Sequence, residues 1–257
     1  MEIFNFAYLP NYVEQIEELA SLARPERWDF IRDHQDKPHK ILVNYINHTF
    51  GRLYRLSQEH PNENYLFISN KNACFNTGLF TANFEPIYAL FEPNDSYRKT
   101  NWILKGFYKN SDYELRHISP LPERATYFEN MQDLIYDTRH ELRINIDHIL
   151  DDERNKARIP AQYRDLPHLP LLFQGMALQY ANIRIQENYK AAVPQYFNGK
   201  IQFLIPISLC DPTVVDLSLA VGRNGEIYTG HTCLTLDMAY NNARLIAKPE
   251  SDWLIGE

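Results

Sequence analysis

The sequence lacks every short motif that would name a common chemistry. It contains no GxxxxGKS/T, no GxGxxG, no GxSxG and no KxDG-like lysine motif. Common P-loop NTPases, Rossmann enzymes and α/β hydrolases are therefore disfavoured. HExxH, HxH and Cys/His pairs at metal-ligand spacing are also missing, which argues against a structural metal. Cysteine is sparse: Cys74, Cys210 and Cys233 form no CxxC pair. Three such thiols read as reduced, strand-buried residues of a cytosolic protein. No apolar run approaches the roughly 18 residues of a membrane span. The acidic start at Met1 has no basic stretch before an apolar one, so export is not expected. An excess of positive charge is absent too. The formal net charge of −7 excludes tight nucleic-acid binding by bulk electrostatics, while leaving room for a local basic groove.

What is present is globular. Apolar residues make up 44% and charged residues 23% of 257 residues, enough for one large core or two small ones. Glycine (9) is scarce beside Tyr (17) and Phe (14), so aromatic bulk does much of the packing. Apolar spacing predicts a helix over residues 10–23, a short one over 25–33 and a long one from Pro38 to about His60. Strand composition follows at 65–70, 74–80, 86–94 and 101–110, with Asn83, Glu85, Asn94, Asp95 and Ser96 as turn formers between them. Residues 141–152 (ELRINIDHILDD) read as a helix ending in an exposed charged loop, and 171–192 as another helix. Three strands follow over KIQFLIPISL, VVDLSLAVGR and EIYTGHTCL, with Pro206 demoting the first to an edge or a bulge. Asn224-Gly225 predicts a type I′ turn, and a final helix starts after Thr235. The expected fold is α+β: one compact domain over 1–257, mainly antiparallel sheet packed with N-terminal and C-terminal helices. Its parts are a helical section (1–60), a strand meander (64–110) and a helix, strand hairpin and final helix (171–257). The meander and the hairpin can share one sheet.

The C-terminal third holds polar residues that packing alone does not require. On the final helix, Asp237, Asn241 and Arg244 fall three to four residues apart, off the core face, and Asn242 adjoins them. Such a set can grip a ribose hydroxyl, a base edge or a phosphate, or can be a solvated face. Lys190, Gln195, Tyr196 and Lys200 surround a proline in a helix-to-strand connection and suit an anionic nucleotide, or form a plain surface loop. Arg223 borders the predicted hairpin. Asn76 and Thr77 interrupt a strand at FNTGL, either to admit a phosphate or as a bulge, and Lys105 sits mid-strand facing solvent or a pocket.

The strings FNTGLFT, IYALF, WILKGF, LRINIDHIL, NYKAAVPQYFNGKIQFLIPISL and CLTLDMAYNNARLIAKPESDWL resemble a bacterial domain-of-unknown-function family. Its most specific part is the C-terminal CLTLDMAYNNARLI signature, and its members are sometimes fused to LOTUS (OST-HTH) RNA-binding modules. The likeness runs from about Lys40 to Leu254. It implies a link to RNA or nucleotide metabolism and no catalytic residues. The expected ligand is RNA or a nucleotide, with phosphate held by Lys105, Lys190, Lys200, Arg223 and Arg244. Asn241 and Asn242 would read a sugar or base, and Tyr196 would stack. Asp237 is the candidate catalytic base or ligand of a divalent metal. A non-catalytic RNA-end or nucleotide sensor, and a protein–protein adaptor, are the alternatives. Lys190, Arg223 and Arg244 are expected to converge on one pocket.

Overall fold

The structure, a computed structural model, describes residues 1–32, 38–95 and 99–255. The fold is α+β, with two five-stranded, mainly antiparallel sheets. The chain forms two compact units. The first holds residues up to Phe30 and from Pro38 to Thr126; the second holds Ile31, Arg32 and residues from Tyr127 onward. The meander and the C-terminal hairpin therefore lie in separate sheets, not in one.

The first unit comprises α1 (Ile3–Phe6), β1 (Ala7–Tyr8), α2 (Tyr12–Leu22), α3 (Lys40–Glu59), β2 (Phe67–Ile68), β3 (Ala73–Phe80), β4 (Pro86–Pro93) and β5 (Trp102–Lys109). Its sheet order is β1-β5-β4-β3-β2, with β1 parallel to β5. Helix α3 buries Ile41, Leu42, Tyr45, Ile46, Phe50, Leu53 and Leu56, the stripe its spacing predicts. The Phe50 and Phe75 rings lie 5.4 Å apart, and Phe75 and Phe91 5.9 Å, so the core is largely aromatic. The short helix expected over 25–33 does not form across its described residues. Trp28 is buried instead, and its carbonyl accepts a hydrogen bond from Ile41 N at 2.9 Å, which holds the stretch in an irregular path. Of the expected turn formers, Ser96 lies outside the described residues.

The second unit comprises β6 (Glu141–Ile144), α4 (Ile146–Asp151), α5 (Glu153–Arg158), α6 (Ala161–Arg164), α7 (Leu169–Leu172), a π turn (Phe173–Ala177), α8 (Leu178–Glu187), β7 (Val193–Phe197), β8 (Lys200–Ile207), β9 (Leu217–Asn224), β10 (Ile227–Leu234), α9 (Leu236–Ala243) and α10 (Asp252–Ile255). Its sheet order is β6-β10-β9-β8-β7. One face of the sheet presents Phe203, Ile205, Leu219, Val221 and Tyr228 to Ile149, Phe173, Ala181 and Ile185 of the helices. Helix α9 packs along β7, β9 and β10.

Several local readings change. The single helix expected over 141–152 divides into a strand and a helix, because the Asn145 side chain accepts from His148 N at 3.1 Å and caps α4 there. The charged stretch expected as a loop is α5, capped by Asp152 Oδ1, which accepts from Arg154 N and Asn155 N at 2.9 and 3.0 Å. Gln195 and Tyr196 lie on strand β7, not in a loop. Strand β8 is internal despite Pro206, which sits beyond the last β7 pairing, Val193↔Leu204, where no ladder on that side needs its N–H. The type I′ signature falls at Asn198-Gly199, with φ of 49° and 81°. At the β9–β10 loop only Gly225 has positive φ, 64°, so that loop is not type I′.

Cys210 is exposed, contrary to the expectation of three buried thiols, because it falls past the end of β8. Burial pushes the Cys74 and Cys233 thiols up to about 12. Titration of native protein with a disulfide reagent at mildly alkaline pH should modify Cys210 alone, and all three thiols should react after unfolding in guanidinium. Rapid native modification of Cys74 or Cys233 would contradict this packing.

Candidate functional site

The second unit carries an open groove of about 550 Å³ lined by Arg32, Arg184, Asn188, Ala191, Thr213, Val214, Val215, Ser251, Asp252 and Trp253. Each side is fixed locally. Arg184 stands in the last turn of α8, where a cation meets the negative end of the helix dipole. One of its nitrogens donates to Pro212 O at 2.6 Å, and the other guanidinium N–H groups leave donors for a ligand. Asn188 ends α8, and its Oδ1 accepts from Lys190 N at 3.1 Å. Thr213 is held by Asp211 Oδ1, which accepts from its N at 2.8 Å and its Oγ1 at 2.6 Å. This loop is closed by Asp216, whose Oδ2 accepts from Leu209 N at 2.8 Å; partial burial raises its carboxyl above the usual range. The opposite wall hangs on one short stretch of backbone. Ser251 Oγ donates to Lys190 O at 2.7 Å, and Trp253 Nε1 donates to Ala191 O at 3.0 Å.

Arg32 reaches this groove because of Asp237. The Asp237 carboxylate is fully buried, and its two oxygens accept from Ile31 N at 3.1 Å and Arg32 N at 2.5 Å. Asp237 lies in the first turn of α9, which the Thr235 hydroxyl caps by accepting from Met238 N at 3.3 Å. A buried carboxylate with two backbone donors and a helix N-terminus beside it is a structural anchor for the 31–32 backbone.

The other sequence-predicted residues separate into distinct environments. Asn241 Nδ2 donates to Asn242 Oδ1 at 3.4 Å, Asn242 Nδ2 to Gln195 Oε1 at 2.9 Å, and Gln195 Nε2 to Gln202 Oε1 at 3.0 Å. The amides thus form a chain, with Gln195 only 1% exposed at its centre. Tyr196 meets Tyr127 edge to face, ring centres 4.9 Å apart. Arg244 is buried at the end of α9. Lys200 and Arg223 are exposed at the two hairpin ends, and Arg223 Nε donates to Gly225 O at 3.0 Å. Lys190 lines a second groove of about 520 Å³ that also holds Lys248, Glu250 and Asp252, so its charges balance. Neither of these two groove linings includes Arg223 or Arg244.

Asn76, Thr77 and Lys105 belong to the first unit. Asn76 Oδ1 accepts from Gly78 N at 2.9 Å, and Thr77 Oγ1 donates to Ile87 O at 2.6 Å inside a register shift of β3. Gly78 has φ of 75°, and a Cβ there would meet Tyr45 Oη at 2.6 Å, so the FNTGL interruption is a packed bulge. Lys105 is the extra residue of a β5 bulge between the Leu90↔Gly106 and Phe91↔Leu104 pairs, and it is exposed.

Among the described residues no group of three or more His, Cys, Asp or Glu side chains could hold a metal ion. No described helix is long and apolar enough to cross a membrane. The fold and groove define an α+β protein with a cationic groove on its second unit. The chain belongs to the family described as a domain of unknown function (DUF3825), whose model matches residues 19–253 and so begins earlier than the motifs alone indicate. No curated protein and no solved structure matches the chain.

Arg32, Arg184, Thr213 and Trp253 were not candidates on sequence grounds. Their polar and aromatic types carry no local pattern, and only the fold assembles them. Replacing Asp237 by Asn puts an N–H₂ donor against a backbone donor. The variant should lose roughly 2–3 kcal/mol in chemical denaturation; a loss well under about 1 kcal/mol would show that the carboxylate is not the anchor.

Proposed function

We propose that the second unit binds a phosphate-bearing RNA or nucleotide ligand in the Arg32–Arg184 groove. The observation that carries this reading is the pair of arginines facing a single carboxylate, Asp252, in a groove otherwise lined by hydroxyl, amide, apolar and indole groups. A guanidinium matches phosphate geometry and stays charged at any working pH. Thr213, Ser251 and Asn188 suit ribose hydroxyls, and Trp253 offers an aromatic surface for a base. The balanced charges of the Lys190–Lys248 groove make it the weaker choice for an anion. RNA is favoured as the source of the phosphate by the likeness of CLTLDMAYNNARLI and its neighbours to a family sometimes joined to LOTUS modules. The same reading keeps the bacterial, cytoplasmic setting expected from the sequence. Binding, not phosphoester chemistry, is the reading of choice, because both oxygens of Asp237 are committed to backbone amides.

Fluorescence anisotropy with a short single-stranded RNA, with and without a 5′-phosphate, tests the proposal. The phosphate should strengthen binding about tenfold or more, and Arg32→Ala and Arg184→Ala should each remove most of that gain. The salt dependence should be shallow, equivalent to about two phosphates. Equal affinity with and without the phosphate, unchanged by either variant, would refute it.

A further inference from the structure

One end of the first unit's sheet presents aromatic rings that the core does not use. Strands β3 and β4 turn there through residues 81–85, and β5 ends beside them: Asn110 N donates to Pro86 O at 3.0 Å and Ser111 N to Glu85 Oε2 at 3.1 Å. Three arginines lie over three rings at this end. Arg24 is 4.7 Å from the centre of Phe84, Arg116 5.0 Å from Tyr113 and Arg124 6.0 Å from Phe80. The chain path places Arg24 there, since Ala23 bridges Thr81 and Arg24 N donates to Phe80 O at 2.8 Å. Two nearby carboxylates are turned to the backbone. Glu85 accepts from Ser111 N, and Asp112 Oδ2 accepts from Lys109 N at 3.0 Å.

The exposure is what needs a reason. Phe84 is 68% exposed and Tyr113 65% exposed, so neither ring contributes much burial to the fold. Phe84 also has φ of 65°, a left-handed conformation that is a genuine outlier for a bulky residue. Asn or Gly would close the same turn with less strain. The backbone thus holds a large ring in water, in an unfavourable conformation, with a guanidinium over one face.

We propose that this end of the first unit is a stacking surface for single-stranded nucleic acid. Bases stack on Phe84 and Tyr113, or on the guanidinium planes above them, while Arg24, Arg116 and Arg124 meet the phosphates. Alternating cations and rings favour this occupant over an apolar protein segment, which would bring the three guanidiniums no anion. The proposal goes beyond the phosphate groove and does not rest on it, because every residue involved belongs to the first unit.

The test uses the full chain and a fluorescein-labelled twelve-nucleotide oligoadenylate with a 5′-hydroxyl, read by anisotropy at low salt. The intact protein should bind it, and bind a duplex of equal length more weakly. Phe84→Asn suits the turn's φ and removes the ring, so it should keep or raise the melting temperature while weakening binding about fivefold or more. Tyr113→Ala, at an exposed ring, should do the same and guards against a folding defect in the first variant. The proposal is overturned if the intact protein does not bind the strand, if both ring variants bind like the intact protein, or if the duplex binds equally well. It is also overturned if Arg184→Ala loses the strand while the ring variants keep it.

Discussion

A buried carboxylate must be matched by donors or it is expelled, and in the second unit that constraint falls on Asp237. Its oxygens take the N–H groups of Ile31 and Arg32, 206 and 205 residues away in sequence. The bonds draw a short piece of the N-terminal half into a unit otherwise built from Tyr127 onward. Helix α9 sets where that piece sits, because Leu236, Ala239, Tyr240 and Ala243 bury its other side against the sheet. The helix start supplies the positive dipole end that a carboxylate favours. The groove therefore depends on Asp237 in an indirect way: its bonds to the 31–32 backbone deliver Arg32 to the rim.

Around that anchor, the groove is assembled from backbone accounting. Lys190 contributes its carbonyl to Ser251 and its N–H to Asn188, and the next carbonyl takes the Trp253 indole N–H. Arg184, Asn188, Thr213 and Ser251 each commit one group to the scaffold and keep another for a ligand. The first unit shows a different economy. Its polar interruptions, FNTGL and Lys105, are bulges that shape strands, while its exposed aromatic rings stand at the strand ends under guanidiniums. On the proposed readings, one unit holds a phosphate and the other stacks bases.

The sequence made the elements legible where pattern is local. The α3 stripe, the four main meander strands and the Thr235 start of α9 follow from apolar spacing and capping chemistry. Local pattern failed where tertiary contacts decide. Residues 25–32 have a helical reading but serve Trp28 burial and the Asp237 anchor. Glu141–Ile144 looks helical beside α4, yet pairs with β10 as a parallel strand whose partner lies more than 80 residues on. The polar residues of α9 and β7 stand out in the sequence, but Gln195, Asn241 and Asn242 satisfy one another. The groove draws on residues near 32, 184–191, 213–215 and 251–253, separations that no local periodicity can join.

The central claim is that the Arg32–Arg184 groove takes a phosphate-bearing nucleotide, and Trp253 gives it a built-in reporter. The chain has three tryptophans, Trp28, Trp102 and Trp253, and Trp253 alone lines the groove. Three indole N–H signals should therefore appear in a nitrogen–proton correlation spectrum of the labelled protein. Titration with a 5′-phosphorylated dinucleotide should move the Trp253 indole signal in a saturable way, together with the Thr213 amide, and leave the Trp28 and Trp102 indoles in place. A Trp253 signal that stays fixed while the ligand binds elsewhere, or while it does not bind at all, would contradict the account.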